Sequence, residues 1–380
     1  MIPYGRHTVG SDEIAAVVEV LQNQFLTQGE QVPKFEQALQ RYCQVQHALA
    51  VNSGTSALHI ACLALGVGHK DSVWTSPISF VASANCALYC GADIDFVDID
   101  PLTRNMCTEQ LEQKLRYAAE HNCLPKAIVV VHYAGQSCDM ATIRQLTKPY
   151  DIALIEDASH ALGGQYNGAP VGSCQYSDIT ITSFHPVKSI TTAEGGMLLT
   201  NNTALYKKAG LFAKHGVTRD PDQMQGNSEG PWYYQQVELG YNYRMSDLHA
   251  ALGCAQMLQL DRFISARRDI AEYYQHELAH LPLRLPLPGD TSAWHLFSIE
   301  LTHHARENVF KQLQLAGIGV NVHYIPIHLQ PFYQNLGFKQ GDFPQAEAFY
   351  NNAITLPVYP ALQKDEQRRV IDTLSRILDN

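Results

Sequence analysis

Ile152-Ala153-Leu154-Ile155-Glu156-Asp157-Ala158-Ser159-His160-Ala161 begins as a continuous apolar run and ends in a pair of carboxylates. Such a run suits a strand covered on both faces, because apolar and polar residues do not alternate along it. Outward from it, residues 127–132, 94–97, 72–75 and 48–51 precede with the same apolar or β-branched character, and residues 179–183 and 197–200 follow. Helical stretches alternate with these runs, which predicts an α/β fold: a three-layer arrangement with a mostly parallel sheet covered by helices. In such a sheet, functional groups collect at the strand ends and in the loops that follow them.

With 380 residues, 46% of them hydrophobic, the chain is long enough for one large domain and a smaller one. Ser246-Asp247 opens a helical pattern through Leu248, Ala251, Leu252, Ala255 and Leu258 that continues, with a bend, towards Leu281. The proline-rich run Leu281-Pro282-Leu283-Arg284-Leu285-Pro286-Leu287-Pro288-Gly289 breaks it. Beyond lie expected strands at 294–301 and 320–324, a helix including 309–315 and a terminal helix at 365–378. The expected division is a large domain over 1–245 and a smaller α+β domain over 246–380, joined in space by the N-terminal segment.

The 27 basic and 37 acidic residues leave a net charge of −10, which argues against a general nucleic-acid or anionic-membrane surface. Nine cysteines are scattered without a Cys-x-x-Cys pair, as in a reduced cytoplasmic protein. Met1-Ile2-Pro3-Tyr4-Gly5-Arg6-His7 lacks the apolar core of a signal peptide, and no apolar run approaches the ~20 residues of a membrane helix. The expectation is a soluble, cytoplasmic protein. His323 and His328 have no third ligand at a spacing suited to zinc.

Four motifs follow successive strands. Asn52-Ser53-Gly54-Thr55-Ser56-Ala57-Leu58 opens a helix with hydroxyls and a permissive glycine, a natural phosphate seat, and no Gly-Lys-Ser/Thr follows to make it a nucleotide loop. Thr75-Ser76-Pro77-Ile78-Ser79-Phe80 offers an aromatic face for a planar ring. Asp157 closes the central strand. Ser183-Phe184-His185-Pro186-Val187-Lys188-Ser189-Ile190-Thr191-Thr192-Ala193-Glu194-Gly195-Gly196 carries a lysine just beyond another strand.

Taken singly, these are a helix cap, a core aromatic, a turn-capping carboxylate and a loop lysine. Their order on strand ends of one sheet points instead to pyridoxal phosphate (PLP). Lys188 would hold it as a Schiff base, Asp157 would keep its ring nitrogen protonated, and Phe80 would cover its face. A nicotinamide enzyme is disfavoured because no Gly-x-Gly-x-x-Gly follows the first strand.

Residues 52–58, 75–85, 156–162, 183–196 and 239–245 resemble the sugar aminotransferases of the DegT/DnrJ/EryC1/StrS family, which have the aspartate-aminotransferase-like fold type I of PLP-dependent transferases. The resemblance runs from Tyr4 to the C-terminal helix. It implies Lys188, Asp157 and His160 as catalytic residues, with His160 near the cofactor ring or its hydroxyl and Phe80 on the ring face. The phosphate would rest on Gly54, Thr55 and Ser183, with Asn242 of Gly240-Tyr241-Asn242-Tyr243-Arg244-Met245 reaching in from the other subunit of a homodimer. Glutamate is the implied amino donor, and pyridoxamine phosphate the form that carries the amino group.

Within the family, Phe25-Leu26-Thr27-Gln28-Gly29, Ala134-Gly135-Gln136-Ser137 and Val322-His323-Tyr324-Ile325-Pro326-Ile327 are most similar to members that aminate C4 of a UDP-linked 4-keto-6-deoxy-N-acetylhexosamine for pseudaminic acid. The sugar-nucleotide contacts this implies are Tyr4, Gln24, Phe25, Leu26, Thr27, Gly54, Ser183, Asn242, His323, Tyr324, Ile325 and Pro326. A different keto nucleotide sugar remains an alternative acceptor. So does a non-catalytic relative, although the full set Asp157, Lys188, Ser183 and Asn242 disfavours it. Sugar dehydratases of this fold carry histidine where Lys188 stands.

Overall fold

In the computed structural model, which describes residues 1–379, each of the seven apolar runs becomes a strand of a 7-stranded sheet. Helices α1 (Ser11–Asn23) and α2 (Gln31–Cys43) lead into β1 (His47–Val51). There follow α3 (Gly54–Ala64), β2 (Ser72–Thr75), α4 (Ala82–Tyr89), β3 (Asp93–Phe96), α5 (Thr108–Glu120), β4 (Ala127–Val131), α6 (Met140–Thr147) and β5 (Ala153–Asp157). A small hairpin of β6 (Gln165–Tyr166) and β7 (Ala169–Pro170) precedes β8 (Ile179–Ser183), β9 (Gly196–Thr200) and α7 (Thr203–Ala213).

The strand order is β1-β9-β8-β5-β4-β2-β3, and the pairs from β8 to β3 are parallel. Side-chain alternation builds the layers. Ala127, Val129 and Val131 of β4 join one buried cluster with residues of α3 and α4, while Ile128 and Val130 join another with residues of α5 and α6.

β9 is antiparallel to both of its neighbours, β8 and β1. A parallel partner for β8 would need a crossover of a dozen or more residues, usually a helix. Here residues 184–195 fold back instead, with the Phe184 amide donating to the Gly195 carbonyl at 2.9 Å and the Thr192 amide to the Phe184 carbonyl at 3.0 Å. Lys188 sits in this returning loop.

Past a short hairpin of β10 (Val217–Thr218) and β11 (Gln235–Gln236) come α8 (Asp247–Met257) and α9 (Leu260–Glu277), the bend between them falling at residues 258–259. A second, antiparallel sheet has the order β12 (Leu283–Arg284), β13 (Phe297–Leu301), β14 (Ala353–Leu356), with α10 (Arg306–Leu315) between β13 and β14 and the helix Lys364–Leu378 after them. α9 spans two cores: Leu260, Phe263 and Ile264 pack beneath β1 and β9, and Ile270, Ala271 and Tyr274, with Leu278 just past its end, pack with the second sheet. The N-terminus joins that second core through Ile2, which bridges Ile318. Asp247, fully buried, accepts the amides of Gly29 and Gln31 at 2.8 Å each and so ties the start of α2 to α8.

Two expected strands differ. Residues 294–296 stay outside β13: the Leu296 amide donates to the Ala134 carbonyl, the Trp294 amide to Ser292 Oγ, and Trp294 adopts a left-handed φ of 47°. Residues 320–324 form no strand, only a bridge between Asn321 and Thr355. Their ladder groups are diverted, the Val322 amide to Asn321 Oδ1 and the His323 carbonyl to the Tyr133 hydroxyl. Among the described residues, no helix is long and apolar enough to cross a membrane, and no group of three or more His, Cys, Asp or Glu is placed to hold a metal ion.

At the start of β9, a Cβ on Gly196 would lie 2.4 Å from the Ser53 carbonyl oxygen and 2.6 Å from the Gly54 nitrogen, both backbone atoms. Gly196→Ala is therefore expected to push apart β9 and the β1–α3 turn and to destabilise the protein by about 1–3 kcal/mol. Denaturant unfolding measures this, and an unchanged midpoint would mean that the turn yields freely.

Candidate active site

Because β1, β2, β5 and β8 run the same way, the turns that follow them open on one edge of the sheet, around a cavity of about 490 Å³. Gly54 and Thr55 line it from the start of α3, Phe80 from the turn after β2, Asp157 and His160 from the end of β5, and Ser183 and Lys188 from β8 and its loop. Tyr4 closes the wall from the N-terminus, and His323 and Tyr324 from the segment that bridges β14.

Ser53 caps α3 by accepting the Ser56 amide at 3.1 Å. The amides of the first helical turn have no intrahelical carbonyl to bond, and the helix dipole favours an anion there. A Cβ at Gly54 would stand 3.0 Å from Ser183 Cβ, so a larger residue would fill the space between these two cavity-lining groups.

Asp157 is buried and doubly held: Ser83 Oγ donates to Oδ2 at 2.7 Å and the Ser159 amide to Oδ1 at 3.1 Å. Ser79 Oγ, 2.7 Å from Ser83 Oγ, extends this chain. Glu156, the other member of the carboxylate pair, bonds His132 Nε2 at 2.8 Å and the hydroxyls of Ser177 and Thr180.

Burial pushes the Lys188 amine down to about 8, against the pull of the Asp157 carboxylate and with help from the Arg267 guanidinium. Arg267 is itself 2% exposed, and its Nη1 donates to the carbonyls of Trp294, His295 and Val358. His160 and His295, 4.3 Å apart between ring centroids, are held well below the usual imidazole range by burial and by the charge on Lys188. His160 Nε2 lies 3.0 Å from the Tyr324 hydroxyl, while its Nδ1 is buried with no hydrogen-bond partner among the described residues.

The remaining expected contacts lie elsewhere in the chain. Gln24, Phe25, Leu26 and Thr27 are exposed and do not line the cavity, since the Asp247 tether fixes the residues just after them against α8. Asn242 is exposed in a segment that bridges Lys214, and neither Ile325 nor Pro326 reaches the cavity wall. Conversely, sequence reasoning passed over Ser83, Glu194, His295 and Asn321, which all line the cavity. Ser79 and Ser83 carried a usable signal, four residues apart at the start of a helix. His295 and Asn321 carried none, standing in runs read as strands.

The donor set fits PLP. A helix N-terminus with hydroxyls suits its phosphate, a buried carboxylate its ring nitrogen, an exposed aromatic its face, an amine of lowered basicity its aldehyde, and the unpartnered Nδ1 of His160 a ring hydroxyl.

Known proteins resemble the chain over its length. The model of the DegT/DnrJ/EryC1/StrS aminotransferase family matches residues 7–375. A Campylobacter jejuni protein named UDP-4-amino-4,6-dideoxy-N-acetyl-β-L-altrosamine transaminase is 38% identical over 385 residues, spanning 100% of this chain and 98% of the relative. Among solved structures, a putative sugar aminotransferase from Streptococcus pneumoniae in its PMP form superposes with a TM-score of 0.91 at 30% identity, over 100% of this chain and 99% of that one. Helicobacter pylori PseC, an aminotransferase involved in the biosynthesis of pseudoaminic acid, does so with a TM-score of 0.90 at 30% identity and the same coverage. Fold and site thus define a PLP-dependent sugar aminotransferase. The chain belongs to the DegT/DnrJ/EryC1/StrS aminotransferase family.

With its amine lowered from 10.5 to about 8, Lys188 in cofactor-free protein should be acylated with a pH midpoint near 8. Asp157→Asn should move that midpoint lower still, because the carboxylate is what holds the proton on. Mass-spectrometric labelling across pH reads both, and a midpoint near 10.5 would refute the buried-amine account.

Proposed function

We propose that this enzyme transfers the amino group of glutamate to C4 of a UDP-linked 4-keto-6-deoxy-N-acetylhexosamine, giving UDP-4-amino-4,6-dideoxy-N-acetyl-β-L-altrosamine. The observation that carries the chemistry is the convergence of Lys188 and Asp157 from neighbouring strands β8 and β5 on one cavity. The choice of sugar is supported by the activity named for the Campylobacter jejuni relative, which is alike over the full length of the chain.

In this reading Gly54, Thr55 and Ser183 hold the cofactor phosphate, Phe80 covers the ring, and Asp157 keeps a proton on the ring nitrogen. Ser83 and Ser159 aim that carboxylate. When bound, PLP stores the amino group between the two half-reactions and delocalises the electron pair left as a proton departs. Lys188 Nζ, made a competent base by its lowered pKa, takes the proton from Cα of the donor and delivers one to C4 of the acceptor. His323, Tyr324 and Tyr4 orient the sugar from the facing wall.

The working unit in this proposal is a homodimer, with Asn242 and the Gln24–Thr27 segment of each chain completing the site of the other. Its support is an exposed apolar set on these segments and the stretch before Asn242: Phe25 is 78% exposed, Trp232 70% and Leu239 73%.

Incubation with glutamate and the UDP-linked 4-keto sugar, followed by NMR of the product, tests the assignment. A C4 amine in the altro series is expected; an amine at another carbon, or turnover confined to another sugar series, would discard this substrate. Lys188→Ala should lower turnover by roughly a thousandfold or more, since it removes the proton-transferring group.

A further inference from the structure

His323 stands in the cavity wall, 7% exposed, with its Nδ1 2.9 Å from Thr355 Oγ1 and its Nε2 3.3 Å from Asn321 Nδ2. Which nitrogen carries the proton is decided three hydrogen bonds away. Thr355 Oγ1 lies 3.1 Å from Ser298 Oγ, Ser298 Oγ lies 2.9 Å from the Tyr133 hydroxyl, and that hydroxyl lies 2.8 Å from the carbonyl oxygen of His323 itself.

A carbonyl oxygen has no proton to give, so Tyr133 spends its only one there. The phenol oxygen must then accept from Ser298. Ser298, its proton spent, must accept from Thr355, and Thr355 in turn must accept from His323 Nδ1. The proton therefore sits on Nδ1, and Nε2 keeps a lone pair.

Asn321 gives an independent check. Its Oδ1 accepts the Val322 amide at 2.8 Å, which turns the NH₂ of the same side chain towards the ring. An NH₂ facing Nε2 requires an acceptor, and both lines of hydrogen bonds agree on the tautomer.

The three hydroxyl residues are buried, Tyr133 and Ser298 at 3% exposed and Thr355 at 1%, which keeps water from breaking the circuit. They come from the turn after β4, from β13 and from β14, so the circuit forms only when the two sheets are packed together. The Nδ1 edge of the ring faces into the second sheet. The Nε2 edge lies on the side of Asn321, itself a cavity-wall residue.

We propose that Tyr133, Ser298 and Thr355 are positioning residues that lock His323 as the neutral Nδ1–H tautomer, so that its Nε2, which the Asn321 amide reaches only at 3.3 Å, exchanges that donor for a hydroxyl or acetamido N–H of the sugar. This rests on the reading of His323 as a sugar contact. A ring fixed in this way rejects a keto or phosphate oxygen at the same place, where two lone pairs would meet. Burial first, and then the charge on Lys188, hold the imidazole down to about 4, in keeping with a neutral ring. Burial also raises the Tyr133 phenol, which keeps the proton that sets the direction of the circuit.

Long-range ¹H–¹⁵N correlation on [¹⁵N]histidine-labelled holoenzyme, with the signal assigned by His323→Gln, reads the tautomer directly. Wild type is expected as Nδ1–H. Tyr133→Phe, three hydrogen bonds from the ring, should give mixed tautomers; Thr355→Val should lose the Nδ1–H preference, and Thr355→Ser should restore it. An Nε2–H ring in wild type, or an unchanged ring in Tyr133→Phe, overturns the lock. Thr355→Val should also raise KM for the keto sugar roughly tenfold while leaving kcat and KM for glutamate near their original values. An unmoved sugar KM alongside the expected spectra would discard His323 as a sugar contact while the lock stands.

Discussion

Parallel hydrogen bonding among β4, β5 and β8 constrains where every other functional part of this protein can lie. Val131 pairs with Asp157, and Asp157 with Ile181, so the chain leaves all three strands at one edge of the sheet. Tyr133, His160 and Lys188 follow those three exits within a few residues. Reversing β9 then brings Gly196 back to the same edge, against the backbone of Ser53 and Gly54.

Electrostatics within the cavity follow from burial. An amine removed from water loses basicity, and for Lys188 this outweighs the attraction of Asp157. Asp157 in turn keeps good acceptor geometry because a serine hydroxyl and a backbone amide hold its two oxygens. The imidazoles nearby are driven towards neutrality by burial and by the charge on Lys188. They therefore offer hydrogen bonds to a ligand without adding positive charge around the lysine.

The facing wall is a product of long-range packing. Arg267, on α9, donates to carbonyls at 294, 295 and 358, and so joins the helix to the turns on either side of the second sheet. Tyr133 reaches from the large sheet to Ser298 and to the His323 carbonyl. The orientation of His323 thus depends on contact between the two sheets, which gives the proposed sugar wall a defined hydrogen-bonding sense.

Much of this was legible in order along the chain. The seven strands follow from local apolar runs, and the placement of Gly54, Phe80, Asp157 and Lys188 around one cavity follows from their recurrence after those strands. The bend between α8 and α9 was equally visible, because helical periodicity is a local property. Other features depended on which distant group takes a given backbone or side-chain hydrogen bond. Residues 320–324 have the composition of a strand, yet Tyr133 and Asn321 take the groups a ladder would need. The direction of β9 was hidden because only the fold-back of residues 184–195 sets it, and His295 gave no signal because its neighbours across the cavity come from elsewhere in the chain. By itself, then, the sequence determined the α/β layering and the lysine–carboxylate pair, which arise from periodicity and order. Only the tertiary structure decided the tautomer of His323, the support of Asp157 by Ser83 and the makeup of the facing wall, because each depends on a hydrogen bond between residues that meet only once the chain has packed.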